Sequence, residues 1–377
     1  MHAPSLIRPA CAVPACLGLA LSLACATAPA SPAAATAAPS PADATSSASA
    51  PAPATAPAPD ASAAKARLAL LSEHLIGGDG FWDYLTVDAA ARRLYLAHSS
   101  VIEAIDLDSF EKLASVTGLD GAHGVAVVPE LAKAFATSGR DGTVVRFDTK
   151  TLFADGKLEV GKRPDAIAYE PKSGRVFALL GGDKEAVAID PFSFKVVGRI
   201  ALGSKPEFAV ALGGKLWVNL EDTSELAQID PLALKIIARI PLAPCEEPSG
   251  LAADAIKGRL VAVCSNHLLA AVDAASGKLL GTAPIGEGAD GVAFDEARGL
   301  ALSSNGEGTV SVIGFNAAGA PELLETVPTR KGARTIAFDS KSGHALTVTA
   351  EMGPPDPERH RPAIVPGTLK LLVLGAP

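Results

Sequence analysis

Short apolar runs alternate along most of this chain with clusters of Gly, Pro, Asp and Ser, the punctuation expected of strands and turns. In "RPDAIAYEPKSGRVFALL", residues 163–180, an apolar run follows Pro164-Asp165, a turn occupies Pro171 to Gly174, and a second apolar run follows. From here the pattern predicts four strands: Asp165 to Glu170, Arg175 to Leu180, Ala186 to Asp190 and Lys195 to Ala201. Val176-Phe177-Ala178-Leu179-Leu180 lacks polar alternation, as befits a strand covered on both faces.

The same phrase begins at residues 82, 122, 164, 206, 248, 289 and 333, a spacing of 40 to 44 residues. A fixed period of that size is the mark of a repeat architecture, and four short strands per repeat make a propeller blade. The expectation is therefore an all-β, seven-bladed β-propeller with four-stranded blades. Asp closes the predicted third strand at 106, 148, 190, 230 and 273, followed twice by Pro, which suits the first two positions of a turn. After Ala333 there is sequence for only three strands, Thr335 to Asp339, Ala345 to Thr349 and Thr368 to Leu374. The missing outer strand is expected from about Arg67 to Ile76, because a ring of blades must hide its first and last edges.

Composition adds what precedes the ring. Residues 1–25 carry Arg8, an apolar stretch from about Ala10 to Ala24 and small residues beyond, the pattern of an export signal. Ser22-Leu23-Ala24-Cys25 resembles a bacterial lipobox, so the alternatives are lipidation at Cys25 and simple cleavage near Ala26 to Ala30. Residues 26–64 are nearly all Ala, Pro, Ser and Thr, a composition that reads as a disordered tether. The propeller domain is expected over residues 65–377. The 377-residue sequence holds 33 basic and 41 acidic residues, of which only Arg8, Asp43 and Asp60 precede Lys65. The remainder has 32 basic and 39 acidic residues, a net charge of −7, which argues against nucleic acid as a partner.

In a propeller the loops leading into each first strand share a face with the second-to-third strand loops, around the mouth of the central channel. The second residue of every repeat converges there: Asp83, His123, Asp165, Glu207, Ser249, Asp290 and Arg334. Such a ring suits a polar ligand, or a hard cation held by Asp83, Asp165, Glu207 and Asp290. The alternative is that these residues line a solvated channel and pair across it. His98, Arg140 and Glu221 lie in matching loops. Trp82 is expected either as a stacking wall with Phe81 or as a wedge between blades. "EMGPPDPERHRPAIVPG", Glu351 to Gly367, lengthens one loop of blade seven; Arg359, His360 and Arg361 would reach the mouth if it is a lid, and decorate the surface if it is not.

Pieces such as "DAIAYEP", "RRLYLAH", "KPEFAV", "PCEEPSGLA" and "GARTIAFD" resemble the YVTN-repeat, YncE-like seven-bladed propellers of bacterial envelopes, over residues 66–377. The resemblance implies the same fold and a periplasmic or outer-envelope location, and carries no single chemistry. It also implies a comparison with metal-dependent lactonase propellers, whose cation ligands come from "PNG" and "DG" at these first-strand starts. Asp290 in "ADG" fits that slot, whereas Ser249 in "PSG" and His123 in "AHG" depart from it. Neither a G-x-S-x-G elbow, an H-E-x-x-H pair, a C-x-x-C pair nor a phosphate loop is present.

Cys245 and Cys264 are the two thiols outside the leader, placed on one face of blade five, so they are expected as a disulfide or as two buried thiols. The sequence thus reads as an exported, tethered, monomeric binding module for a small polar ligand or an envelope protein, contacting membrane only through a lipid. No cofactor is expected, with calcium, magnesium or zinc at the mouth as the alternative. A metal-dependent lactonase-like hydrolase and a structural envelope scaffold are the competing functions.

Overall fold

The computed structural model describes residues 67–355 and 362–377. Seven antiparallel four-stranded sheets follow one another around a ring, six of them built from consecutive strands. Blade three is typical, with strands Pro164–Glu170, Arg175–Leu180, Glu185–Asp190 and Lys195–Ala201. Its second strand is buried in every residue after Arg175, whereas the fourth, at the outer edge, alternates exposed and covered positions. Neighbouring blades cover both faces of the inner strands, and solvent reaches one face of the outermost. Among the described residues no helix is long and apolar enough to cross a membrane.

The seventh blade has the strand order Ala69–Leu75, Lys370–Gly375, His344–Thr349, Ile336–Asp339. The first strand of the ring therefore supplies the outer edge of the last blade, paired from Ala69 opposite Gly375 to Leu75 opposite Lys370 with one shift of register between Leu70 and Ser72. Several boundaries in this blade differ from the sequence reading, the strand expected from Thr368 beginning at Lys370. The innermost strand begins at Ile336 rather than Thr335, and the Thr335 hydroxyl donates to Asp83 O at 3.0 Å across the seam with blade one. The long loop of blade seven folds into a hairpin of Met352–Pro355 and Pro362–Ile364; Arg359, His360 and Arg361 lie outside the described residues, as do the leader, Cys25 and the tether.

Asp ends the third strand as the pattern requires. Asp190 Oδ1 accepts the amides of Phe192 and Ser193 at 2.9 Å, and Asp230 Oδ1 those of Leu232 and Ala233 at 3.0 and 2.9 Å. In blade five the sulfurs of Cys245 and Cys264 are bonded, with Cα atoms 5.6 Å apart.

Candidate functional site

The first strand of each of blades one to six opens with the same irregularity. In blade three Pro164 pairs with Leu180 but Ile167 with Ala178, so three steps on one strand match two on its partner. Equivalent shifts occur in the other five at Trp82/Leu85, Ala122/Val125, Pro206/Ala209, Pro248/Leu251 and Ala289/Gly291. A β-bulge re-aims side chains at the end of a strand, and each of these sits at the second residue of a repeat. All seven second-position residues line one cavity of about 530 Å³ at the channel mouth.

Side chains of the preceding blade hold the bulged backbone in place. The Thr137 hydroxyl donates to Asp165 O, the Asn219 amide to Ser249 O at 2.9 Å, and the Ser304 hydroxyl to Arg334 O at 2.5 Å. Each is fully buried at the fifth residue of its second strand, and Thr137 and Ser304 have the buried Ser138, Ser303 and Asn305 beside them. Gly250 and Gly291, the last residues of "PSG" and "ADG", are explained by close packing: a Cβ at 250 would lie 2.9 Å from Asp290 O, and one at 291 would lie 2.8 Å from Ile336 N.

Within the mouth the ring divides into three groups and Ser249. His123 stands between two carboxylates, its Nδ1 2.6 Å from Asp83 Oδ2 and 3.6 Å from Asp165 Oδ1. One potential ligand atom from each of Asp83, His123 and Asp165 lies within 4.8 Å of the others. Lys205 Nζ is paired with both Glu207 and Glu221. Arg334 Nε lies 3.4 Å from Asp290 Oδ2, and the Ser249 hydroxyl donates to Ala289 O at 3.3 Å. Of the four carboxylates expected to share one cation, only Asp83 and Asp165 fall in a common cluster, and the third member is the imidazole. Glu207 and Asp290 each have a basic partner of their own.

The charges are strained by their surroundings. Burial opposes a charged His123, but the Asp83 hydrogen bond and the Asp165 charge outweigh it and raise the imidazole above its ordinary pKa. Burial and then the Asp83 charge push Asp165 up to about 6 in spite of His123. Burial likewise raises Asp290 against the pull of Arg334. Burial, together with the hydrogen bond to Glu221, pushes Glu207 up to about 8 against Lys205. Burial also acts against ionised Glu221, yet the bonds from Glu207 and Lys205 hold its carboxyl below the usual value. The two carboxyls are coupled through Lys205, so a proton taken up by the pair resides on Glu207 in preference to Glu221.

Below the mouth the channel changes character. Tyr84, from blade one, meets Phe208, from blade four, edge-on with ring centroids 4.9 Å apart. Tyr84 lines the polar cavity, and Phe208 lines a second cavity of about 790 Å³ whose walls include Val87, Val127, Ile167 and Phe338.

Not every expected residue reaches the mouth. Trp82 is buried in the core shared by blades seven and one, the wedge alternative, while Phe81 is about half exposed. His98 is buried with its Nδ1 3.3 Å from Glu103 Oε1. Arg140 points to solvent 3.3 Å from Asp120 and lines a separate surface pocket. Glu221 does line the mouth. Sequence reasoning missed Lys205, which stands just before the Pro206-Glu207 step, and Tyr84, which stands just after Asp83. It also missed the supporting Thr137, Asn219 and Ser304, whose signal is a hydroxyl or amide at the fifth residue of a second strand.

No protein-family model matches the chain, and no curated protein sequence matches it. Solved structures share the fold. U3-55K superposes with a TM-score of 0.66 over 81% of this chain and 98% of its own, at 10% identity. The WD40 repeats of RRP9 give 0.66 over 81% and 97% at 10% identity. Hydrazine synthase from Kuenenia stuttgartiensis gives 0.60 over 78% and 96% at 14% identity. At these identities the similarity establishes the seven-bladed, WD40-like propeller and stops there.

Proposed function

We propose that this chain is a ligand-binding module whose channel mouth takes a cation, either a divalent metal ion or the ammonium group of a small polar ligand. The convergence of Asp83, His123 and Asp165 on one point carries the reading. Six carboxyl groups, Asp83, Asp165, Glu207, Glu221, Glu247 and Asp290, line the cavity against Lys205, Arg334 and His123, so the mouth favours positive charge. Asp83 and Asp165 supply hard oxygen donors and His123 a nitrogen donor once deprotonated, a set that fits zinc better than calcium. The proposal includes export and attachment to the cell envelope, supported by the apolar leader, the Cys25 lipobox-like stretch and the Ala/Pro tether, and membership of the YVTN-repeat propellers, supported by the blade motifs.

A second reading uses the same three residues. In a metal-dependent lactonase-like hydrolase the bound ion would polarise an ester carbonyl, and a mouth carboxylate would act as base on water. The Asp83–His123–Asp165 cluster favours it; the engagement of Asp290 with Arg334 does not. Metal analysis of the purified chain and a thermal-shift series with calcium, magnesium, zinc and small alkylammonium ions test the binding reading. Stabilisation by at least one cation, absent from Asp83→Asn with Asp165→Asn, is expected. Lactone hydrolysis that requires the same metal and the same residues would move the hydrolase reading ahead of it.

A further inference from the structure

Opposite the mouth, the lower face of the disc carries the turns between first and second strands and between third and fourth. Among the described residues, five large apolar side chains are at least 66% exposed: Leu75, Phe153, Phe192, Leu232 and Ile256. The last four all sit on lower-face turns, one in each of the consecutive blades two to five.

Folding does not require apolar groups there. In blade three Asp190 closes the turn, and Phe194 fills the interior against Phe135 at 5.6 Å, which leaves Phe192 pointing outward. Blade four repeats the arrangement, with Leu234 packed inward and Leu232 outward. At the position of Phe192, blade one has Asp108 and blade five has Ala275, in turns closed by the same Asp contacts. At the position of Ile256, blades three and seven have Lys172 and Lys341.

Exposed ammonium groups stand among these tips: Lys150, Lys172, Lys195, Lys235 and Lys257. Among the described residues none of them is ion-paired: three neighbouring carboxylates have other basic partners, and Glu130, Glu170 and Asp190 on the same turns have none. Asp148 is 3.0 Å from Lys133, Asp230 is 3.0 Å from Lys215 and Asp254 is 2.6 Å from Arg259. Glu170 accepts the amides of Lys172 and Ser173.

From this geometry we infer that the lower face of blades two to five is a peripheral docking surface for an anionic lipid bilayer. Single apolar tips on separate turns of one face, interspersed with free lysines, match a planar fluid surface: the side chains enter the acyl boundary while the ammonium groups meet lipid phosphates. Docked this way, the disc turns its acidic mouth away from the membrane.

Phe192→Trp in the full chain tests this, because the native Trp82 and Trp217 are buried and form a constant background, so that a lipid-induced change in emission, taken against the parent chain, reports the tip. With vesicles of phosphatidylcholine and phosphatidylglycerol, its emission should shift to the blue and be quenched by brominated lipid, and added salt should reverse both. On that background Phe153→Ser with Leu232→Ser, or Lys172→Glu with Lys235→Glu, should weaken binding by about ten-fold or more at an unchanged melting temperature. An indole neither shifted nor quenched at saturating lipid overturns the inference, even if residues preceding the propeller carry the chain to the vesicle; that is also the outcome expected of a face that binds only protein. Equal binding to phosphatidylcholine alone, unaffected by the lysine changes, overturns it as well.

Discussion

His123 Nδ1 lies 2.6 Å from Asp83 Oδ2 across the seam between blades one and two, so the one imidazole that lines the mouth among the described residues bridges two repeats. The neutral or charged ring donates from Nδ1 to the carboxylate, and the charged ring also offsets Asp165.

Because its pKa is raised in the folded chain, His123 contributes stability in full below its ordinary value of 6.5 and loses it as pH rises through the raised one. His123→Gln should therefore cost about 1 kcal/mol near pH 6, discounted for partial exposure, and less near pH 9. Urea unfolding at the two pH values checks it; an equal cost at both would show that the ring is held by packing alone.

Asp165 carries the opposite sign. A carboxyl raised to about 6 is a liability when ionised, so the folded chain gains stability from it as pH falls. Asp165→Asn should stabilise the protein by about 1–3 kcal/mol at pH 8, and by less at pH 5. A loss of stability at pH 8 would mean that the ionised group is compensated by more than His123.

Lys205 holds two carboxyl groups at once. Lys205→Met should destabilise by about 1–2 kcal/mol, tempered by its exposure, and push Glu207 above its value of about 8. The carbonyl stretch of a protonated carboxylic acid, followed by infrared spectroscopy, should then persist to higher pH than in the parent.

Removing Arg67 to Ile76 strips the outer strand from blade seven and bares the edge of Lys370–Gly375. Leu68 and Ile76 are buried, so the deletion loses apolar packing as well as the ladder, and should cost several kcal/mol and provoke association through the open edge, about 2 kcal/mol of it from each buried side chain. An unchanged melting temperature and a monomeric elution profile would contradict the closure.

Much of this architecture was legible because it repeats. Pro164-Asp165-Ala166 and its counterparts recur in phase with the strands, and the apolar runs after Arg175 and Arg259 could only be covered on both faces. The ring of second-position residues was legible for the same reason. Its internal pairing was not. Lys205 stands in phase with the repeat, but the residue type there changes from Arg163 to Lys205 to Glu247, and its reach to Glu207 and Glu221 depends on how two neighbouring loops stack. The burial of His98 was hidden because it reads as a loop residue beside Arg140, whereas it ends a second strand opposite Trp82 with its ring against Gly78. The exposed tips Phe192 and Leu232 looked like ordinary apolar residues, because hydrophobicity alone does not say which of two in a turn points inward.

The central claim, that the mouth takes a cation at Asp83, His123 and Asp165, is tested most directly by nuclear magnetic resonance of the His123 ring, assigned by its loss in His123→Gln. Titration with zinc, calcium and a small alkylammonium ion, each in turn, should move the His123 resonance saturably for at least one of them, and Asp83→Asn with Asp165→Asn should abolish the response. A resonance that none of the three cations moves, or one that moves equally in the double variant, would contradict the account.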